Sequence, residues 1–307
     1  MLSKSFTYNN TYIISIIDNI SLIERELQPY SHFDDYRSVF NSKEWILAYC
    51  KIYTPKEIIF VKATKTNIYF LLEIKDQEVH ILGDPFNDYN LLFIPPNDFM
   101  GILYLLKSKT NKSIKINCLA SPLPVRLQNY RKDIGLKWHE LEETICISPK
   151  LQKMYNRDKS KMLFFRVTPS DELFQSILSK LLLWRIDVLK TKNNEGNEDS
   201  INERFSRFIT TLCLNESIKD NIFIDYGICG DEIVSIGFNF IHHKNILYYL
   251  RWCSHSSNRH SYGLLHDIMS MNLSLNMGYD NIDFARGNEA YKYRLGLVEY
   301  NLYNYEI

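Results

Sequence analysis

Residues Arg259–Leu297, RHSYGLLHDIMSMNLSLNMGYDNIDFARGNEAYKYRLGL, hold the pattern on which the fold of this chain turns. Leu264, Ile268, Met271 and Leu275 follow one another at steps of four, three and four, which draws one apolar stripe along a helix. Ser261 is a suitable cap for the start of that helix. Gly278 suits the left-handed position that follows a last helical turn. Ile282-Asp283-Phe284-Ala285 then alternates as a short, half-buried strand does. Directly behind it stand Arg286, Gly287, Glu289, Tyr291 and Lys292, charges gathered around a glycine. Function is expected here first.

Upstream, Ile222–Tyr226, Ile233–Ile241 and Ile246–Trp252 are rich in β-branched and aromatic residues. Gly230-Asp231 and His242–Asn245 separate these runs with turn residues, so they predict an antiparallel meander that leads into the helix and strand above. A helix N-terminus in that place offers free backbone N–H groups and a favourable dipole to an anion, and Arg259 and Gly263 stand there. As a phosphate loop the stretch is poor in glycine.

The run HSYGLL, the helix, and DFARGNEAYKYRLG together resemble the acetyltransferase family named after cellulose biosynthesis (CelD/BcsL-like), whose pattern is YSPG-LL, a helix, then DF-RG-E-YK---G. His260-Ser261-Tyr262-Gly263 stands for YSPG, with Tyr262 in place of the proline. Asp283, Phe284, Arg286, Gly287, Glu289, Tyr291, Lys292 and Gly296 match as they stand. The resemblance implies the acyl-CoA N-acyltransferase (GNAT) fold and a relation to the Fem-type peptidoglycan aminoacyltransferases, which pair two such domains. The expected architecture is α/β: two tandem GNAT-like domains, mixed sheets flanked by helices, at 1–150 and 151–307. The same resemblance implies an acyl-CoA co-substrate, acetyl-CoA foremost. Tyr249, Leu250 and Arg251 on the last meander strand would hold it, with Arg259, Ser261, Tyr262 and Gly263 at the helix start.

Acyl transfer from a thioester to an amine requires that the carbonyl be held, the amine lose a proton and the oxyanion be stabilised. Glu289 or Asp283 is the expected proton acceptor. Arg286 or Lys292 is expected to hold an anionic acceptor or the developing charge. Asp283–Arg286 and Glu289–Lys292 are also readable as ion pairs that pin the loop. The resemblance favours chemistry for Arg286, Glu289 and Lys292 and leaves Asp283 balanced.

The 307 residues suffice for two domains with cores of their own. Lys+Arg and Asp+Glu each number 36, so nothing points to nucleic acid or an acidic membrane as a general partner. Six cysteines without CxxC spacing read as reduced, mostly buried thiols of a cytoplasmic protein. The opening MLSKSFTYNN lacks the apolar centre of a signal peptide, and no apolar run has the length of a membrane span. The histidines show no ligand spacing: His242-His243 sits in a hairpin turn, and His260 and His266 flank the helix start. They read as scattered surface residues, and no metal is expected. Cys253 has His255 two residues on, an unsuitable geometry for a thiol nucleophile. No GxxxxGK[ST] or strand-linked GxGxxG supports a nucleotide enzyme.

Earlier in the chain, Asn41–Tyr53 predicts a helix with Trp45 in the core, where the resembling family also often places a tryptophan. Glu57–Ala63, Asn67–Ile74 and Glu78–Leu82 predict strands, Asp98–Ser108 a helix, Ile114–Leu119 a strand, Pro122–Tyr130 a short helix and Glu142–Ile147 a strand. The order of elements echoes the second half without a repeat of residues. In GDPFNDY, Gly83–Tyr89, the resemblance makes Asp88 and Tyr89 candidates for the substrate cleft, while a plain Asx-Pro turn explains the residues as well. Ser148–Lys161, polar and basic, reads as a solvated linker. Leu163–Val167 predicts a strand, and helices are expected from Asp171 and from Ile201, joined by the polar loop Thr191–Ser200. Arg185 on the first of them is a further substrate candidate by resemblance, although the histidine kept there by the family is missing.

The expected activity is that of a cytoplasmic, acyl-CoA-dependent N-acyltransferase. Its acceptor would be a small-molecule or glycan-precursor amine such as an amino sugar or surface-polysaccharide precursor. Two other classes stay open. One is a Fem-type aminoacyltransferase using aminoacyl-tRNA, which usually inserts a long helical arm that no heptad run here provides. The other is a non-catalytic binding protein that keeps the fold.

Overall fold

The computed structural model describes residues 4–27, 36–66, 68–124, 129–138, 147–192, 198–254 and 262–307. The chain forms two compact units, Met1–Ile134 with Asn301–Ile307, and Gly135–Tyr300. Each is α/β, a mixed sheet flanked by helices.

The first unit opens with the hairpin β1 (Lys4–Tyr8) and β2 (Tyr12–Ile17), turned through left-handed Asn9 and Asn10, a residue type that tolerates φ > 0. α1 (Ile20–Leu27) and α2 (Lys43–Tyr53) follow, and Ser42 caps α2 by accepting the N–H of Trp45. β3 (Glu57–Ala63), β4 (Tyr69–Lys75) and β5 (Glu78–Ile81) extend the sheet antiparallel. After α3 (Pro96–Thr110), β6 (Ser113–Leu119) joins β5 in parallel. β13 (Val298–Glu306), the last strand of the chain, pairs antiparallel with β6. One sheet face is apolar throughout: Ile14, Ile59, Val61, Leu72, Val79, Ile114 and Ile116 form a core with Phe99, Ile102, Leu103 and Leu106 of α3. Strand alternation and the helical repeat bring these together.

The second unit contains the end of β7 (Asn129–Trp138), α4 (Pro149–Asp158), β8 (Leu163–Val167), α5 (Phe174–Lys192) and α6 (Glu198–Cys213). The expected meander is present as β9 (Ile222–Cys229), β10 (Glu232–His242) and β11 (Asn245–Cys253). α7 (Tyr262–Asn276), β12 (Asn281–Arg286) and the short α8 (Ala290–Arg294) complete it. The sheet runs β7-β12-β11-β10-β9-β8, antiparallel except for β11 beside β12. α5 and α7 each pack on β9, β10 and β11. Gly278 ends α7 as expected: at φ 80° it donates to Leu275 O, and Tyr279 N–H reaches back to Ser274 O at 3.1 Å.

Two expectations about elements change, and a third falls largely outside the described residues. Residues 122–124 are not helical, and Asn129–Tyr130 begin a long strand instead of ending a helix. Expected strand residues 142–146 lie outside the described residues. The supposed linker is largely α4, which starts at Pro149 and buries Leu151. Its polar composition belongs to one face of a surface helix, which sequence alone does not tell from a solvated linker. Among the described residues no helix is long and apolar enough to cross a membrane.

Candidate active site

β11 and β12 are paired only at Asn245–Asn281, Ile246–Ile282 and Leu247–Asp283. Beyond these, β11 continues to Cys253 and β12 to Arg286 unpaired with each other, so a wedge opens between them. Two local features steer the strands apart. Phe238 of β10 faces Leu250 and Asn239 faces Tyr248, which leaves Tyr249 as a bulge in β11. In β12, Ala285 is left-handed at φ 59°, and Asp283 Oδ1 accepts its N–H at 2.8 Å. Tyr248 and Phe284 stack at the narrow end, ring centroids 4.8 Å apart.

Asp283 is fully buried and accepts Tyr300 Oη at 3.1 Å on both carboxylate oxygens. Its carboxylate shapes the end of β12. The loop that follows is built around Lys292. This buried amine donates to Arg286 O at 2.8 Å and Gly287 O at 3.3 Å, and lies 3.1 Å from Glu289 Oε2. Gly287 has φ 106°, and a Cβ there would stand 2.7 Å from Glu289 Oε2, so the Glu289 carboxylate lies close over a position that only glycine fits. The Glu289 side chain is 56% exposed. Arg286 is exposed at the strand end.

Arg251 differs from the expected cofactor ligand. Its guanidinium turns inward, donating to Gly263 O at 3.1 Å, pairing with buried Asp267, and lying 4.8 Å over the Tyr291 ring. A planar fork engaged on three sides ties α7 to α8 and leaves little of itself for a phosphate. Tyr249 and Leu250 are half-buried at the bulge, and Tyr262 is anchored through its Oη to Cys229 Sγ at 3.2 Å. Gly263 lies in the first turn of α7, where a Cβ would stand 3.3 Å from Cys253 Sγ. Arg259 and Ser261 lie outside the described residues. Arg185 donates to Asn202 Oδ1 at 2.8 Å and covers the Phe205 ring at 4.0 Å, joining α5 to α6. Asp88 and Tyr89 belong to the first unit, where Tyr89 is fully buried against Phe40 in a packing position.

A buried polar layer under α7 was not foreseen. Arg166 of β8 donates to both Asp225 oxygens at 2.7 and 2.9 Å and to Ser274 Oγ at 3.0 Å, and Ser270 Oγ donates to Asp225 as well. His266, expected at the surface, is fully buried with Nδ1 2.9 Å from Ser235 Oγ. Burial first, then the nearby Arg251 and Arg166 charges, hold its pKa well below the ordinary histidine value, so it is neutral. Burial raises the Asp267 pKa while Arg251 works against that rise. Burial likewise pushes the Cys253 thiol up to about 11, which leaves it unreactive. The available signal was the repeat of His266, Ser270 and Ser274 at steps of four, which resembles the solvent face of a helix. Among the described residues no group of His, Cys, Asp and Glu is placed to hold a metal ion.

Residues 161–293 match the family described as an acetyltransferase (GNAT) domain. With the meander, helix, parallel strand and wedge, this match supports a GNAT-type acyltransferase domain in the second unit, and such a domain implies an acyl-CoA co-substrate. The chain is similar in fold to a conserved protein of unknown function from Bacteroides thetaiotaomicron VPI-5482, with TM-score 0.60 and 13% identity over 95% of this chain and 98% of that one. It is similar also to FemX, with TM-score 0.55 and 9% identity over 99% and 97% of the two chains. L-PGS from Bacillus licheniformis follows with TM-score 0.54 and 12% identity over 86% and 90%. Identities this low show the fold alone. No curated protein matches the chain in sequence.

Proposed function

We propose that the second unit moves an acyl group, acetyl first, from acyl-CoA to the amino group of a sugar or surface-polysaccharide precursor. The observation that carries this proposal is the wedge beyond Leu247 and Asp283, with the solvent-reachable Glu289 carboxylate held on the loop that leaves β12. The bulge at Tyr249 turns backbone groups of β11 away from a regular ladder, which suits them to a pantetheine chain and thioester carbonyl. The first turn of α7 at Gly263 offers N–H groups to the pyrophosphate. The acceptor nitrogen attacks the thioester carbon, its proton passes to Glu289 directly or through water, and the tetrahedral intermediate collapses with loss of the CoA thiolate. Glu289 is favoured over Asp283 as the base because Asp283 is buried and already accepts from Ala285 N–H and the Tyr300 hydroxyl. Lys292 sets the loop, and Arg286, exposed beside it, is suited to an anionic part of the acceptor.

Calorimetric titration with acetyl-, succinyl- and longer acyl-CoAs tests the donor, and release of free CoA thiol with a panel of amino sugars tests the acceptor. At least one donor is expected to bind and one amine to accelerate thiol release. Binding of aminoacyl-tRNA with no affinity for any acyl-CoA would replace this proposal with Fem-type chemistry.

A further inference from the structure

The first unit repeats the plan of the wedge. β5 and β6 pair in parallel at Glu78–Ser113, Val79–Ile114 and His80–Lys115 and then part, as β11 and β12 part after their own short ladder. Cys118, the last residue but one of β6, is left-handed at φ 55°, as Ala285 is in the same place of β12. In each case a side-chain oxygen accepts the N–H of that residue: Asn304 Oδ1 at 2.7 Å for Cys118, Asp283 Oδ1 at 2.8 Å for Ala285.

The contents of the two wedges differ. In the first unit the chain itself enters. It leaves β5 at Ile81, turns at Gly83 (φ 78°), makes a tight turn over Asp84–Phe86, and returns at Asn90 to bridge Leu119 in parallel. Asn90 N–H donates to Cys118 O at 2.8 Å, Ala120 N–H donates to Asn90 O at 3.1 Å, and Asn90 Nδ2 donates to Asn117 O at 2.7 Å. The strand edge that β5 abandons is thus paired by the chain. Asn87, fully buried, donates through Nδ2 to Leu82 O and Asn90 Oδ1 and accepts Trp45 Nε1 at 2.9 Å. A ligand entering here would have to replace each of these buried bonds, and a buried amide left unpaired is expensive. α3, which follows, begins at Pro96 with Pro95 at its cap, so its first residue has no N–H to offer an anion. In the second unit, among the described residues, no bridge joins the far half of β11 to another segment on its wedge side.

We infer that the first unit is a self-occupied copy of the second. Residues 82–90 fill the room that the shared plan provides for an acyl donor, and each chain takes one donor, on the second unit. The identity of the donor rests on the proposal above; the self-occupancy rests on the first unit alone.

Hydrogen exchange and calorimetry on the full chain test the two parts separately. The Asn90 and Ala120 amides are expected to exchange slowly in the free protein and to be unchanged by saturating acetyl-CoA, which should bind with one site per chain. Asn90→Ala should speed exchange at Ala120 by at least about tenfold through local opening, with the acetyl-CoA Kd within about twofold of the parent. Two donor sites per chain would overturn the inference. So would fast exchange of both amides in the free protein, or a Kd that moves about tenfold in Asn90→Ala. If no acyl-CoA binds at all, the donor assignment of the second unit fails, while slow exchange at Asn90 and Ala120 still upholds the filled wedge.

Discussion

Lys292→Met is the sharpest perturbation of the candidate site, because it removes one charge and keeps the shape of the aliphatic stem. In the native loop the amine supplies Arg286 O and Gly287 O and balances Glu289. Leaving the two carbonyls without a donor is worth about 1–3 kcal/mol each if both stay dry. Relief of the buried ammonium from its own desolvation offsets part of that, and the Glu289 pair adds at most about 1 kcal/mol because its carboxylate is more than half exposed. The net expectation is a loss of about 2–4 kcal/mol, or a fall of about 5–12 °C in the melting temperature of a unit this size. Thermal unfolding followed by circular dichroism reads the loss, and thiol release normalised to folded protein reads catalysis. Both should fall, since a loop without its pin no longer holds Glu289. A melting temperature equal to the parent's would refute the pinning argument, whatever happens to turnover.

Glu289→Gln should separate the two effects: the melting temperature stays within a few degrees while turnover falls by about 10²–10⁴, and preserved turnover would remove Glu289 from the chemistry. Gly287→Ala introduces a Cβ 2.7 Å from Glu289 Oε2 at φ 106°, so it should destabilise by about 1–3 kcal/mol and displace the carboxylate. Gly278→Ala, equally left-handed but with nothing within 4 Å, should lower stability by only about 1 kcal/mol and leave turnover alone. Urea titrations that rank the two glycine variants the other way would contradict the geometry. His266, whose folded pKa is depressed, is protonated at mild acidity only in the unfolded chain. Its contribution is therefore full above the unfolded pKa of about 6.5 and is lost below it, at up to about 1.4 kcal/mol per pH unit. Denaturation between pH 7.5 and 5 should show a steeper acid loss for the parent than for His266→Gln, and parallel curves would show that the imidazole takes its proton in the folded state.

Much of the second unit was legible because its signals are local. The meander, the α7 helix, the left-handed stop at Gly278 and the strand before Arg286 each follow from propensity, period and turn chemistry within a few residues. The cluster Arg286–Lys292 was visible as a group, but the part each residue plays was not. Whether Lys292 faces a ligand or two loop carbonyls depends on a backbone path that no spacing encodes. Arg251 shows the same limit. A charged residue on a strand near a helix start suits a phosphate in sequence terms, and only the approach of Asp267 and Tyr291 turns it inward. The face of α7 carrying His266, Ser270 and Ser274 is polar, and polarity is the local sign of exposure. It is dry because Arg166, Asp225 and Ser235, far away in the chain, bring the partners that make burial of polar groups tolerable. The filled wedge of the first unit is of the same kind: GDPFNDY is a turn by composition, and what it fills is decided by Asn117 and Cys118 of β6 and Trp45 of α2, from two other segments of the chain. Local sequence settles which elements form, since backbone preferences act over a few bonds. What a side chain does depends on groups brought to it from distant segments, and those meet only in the folded chain.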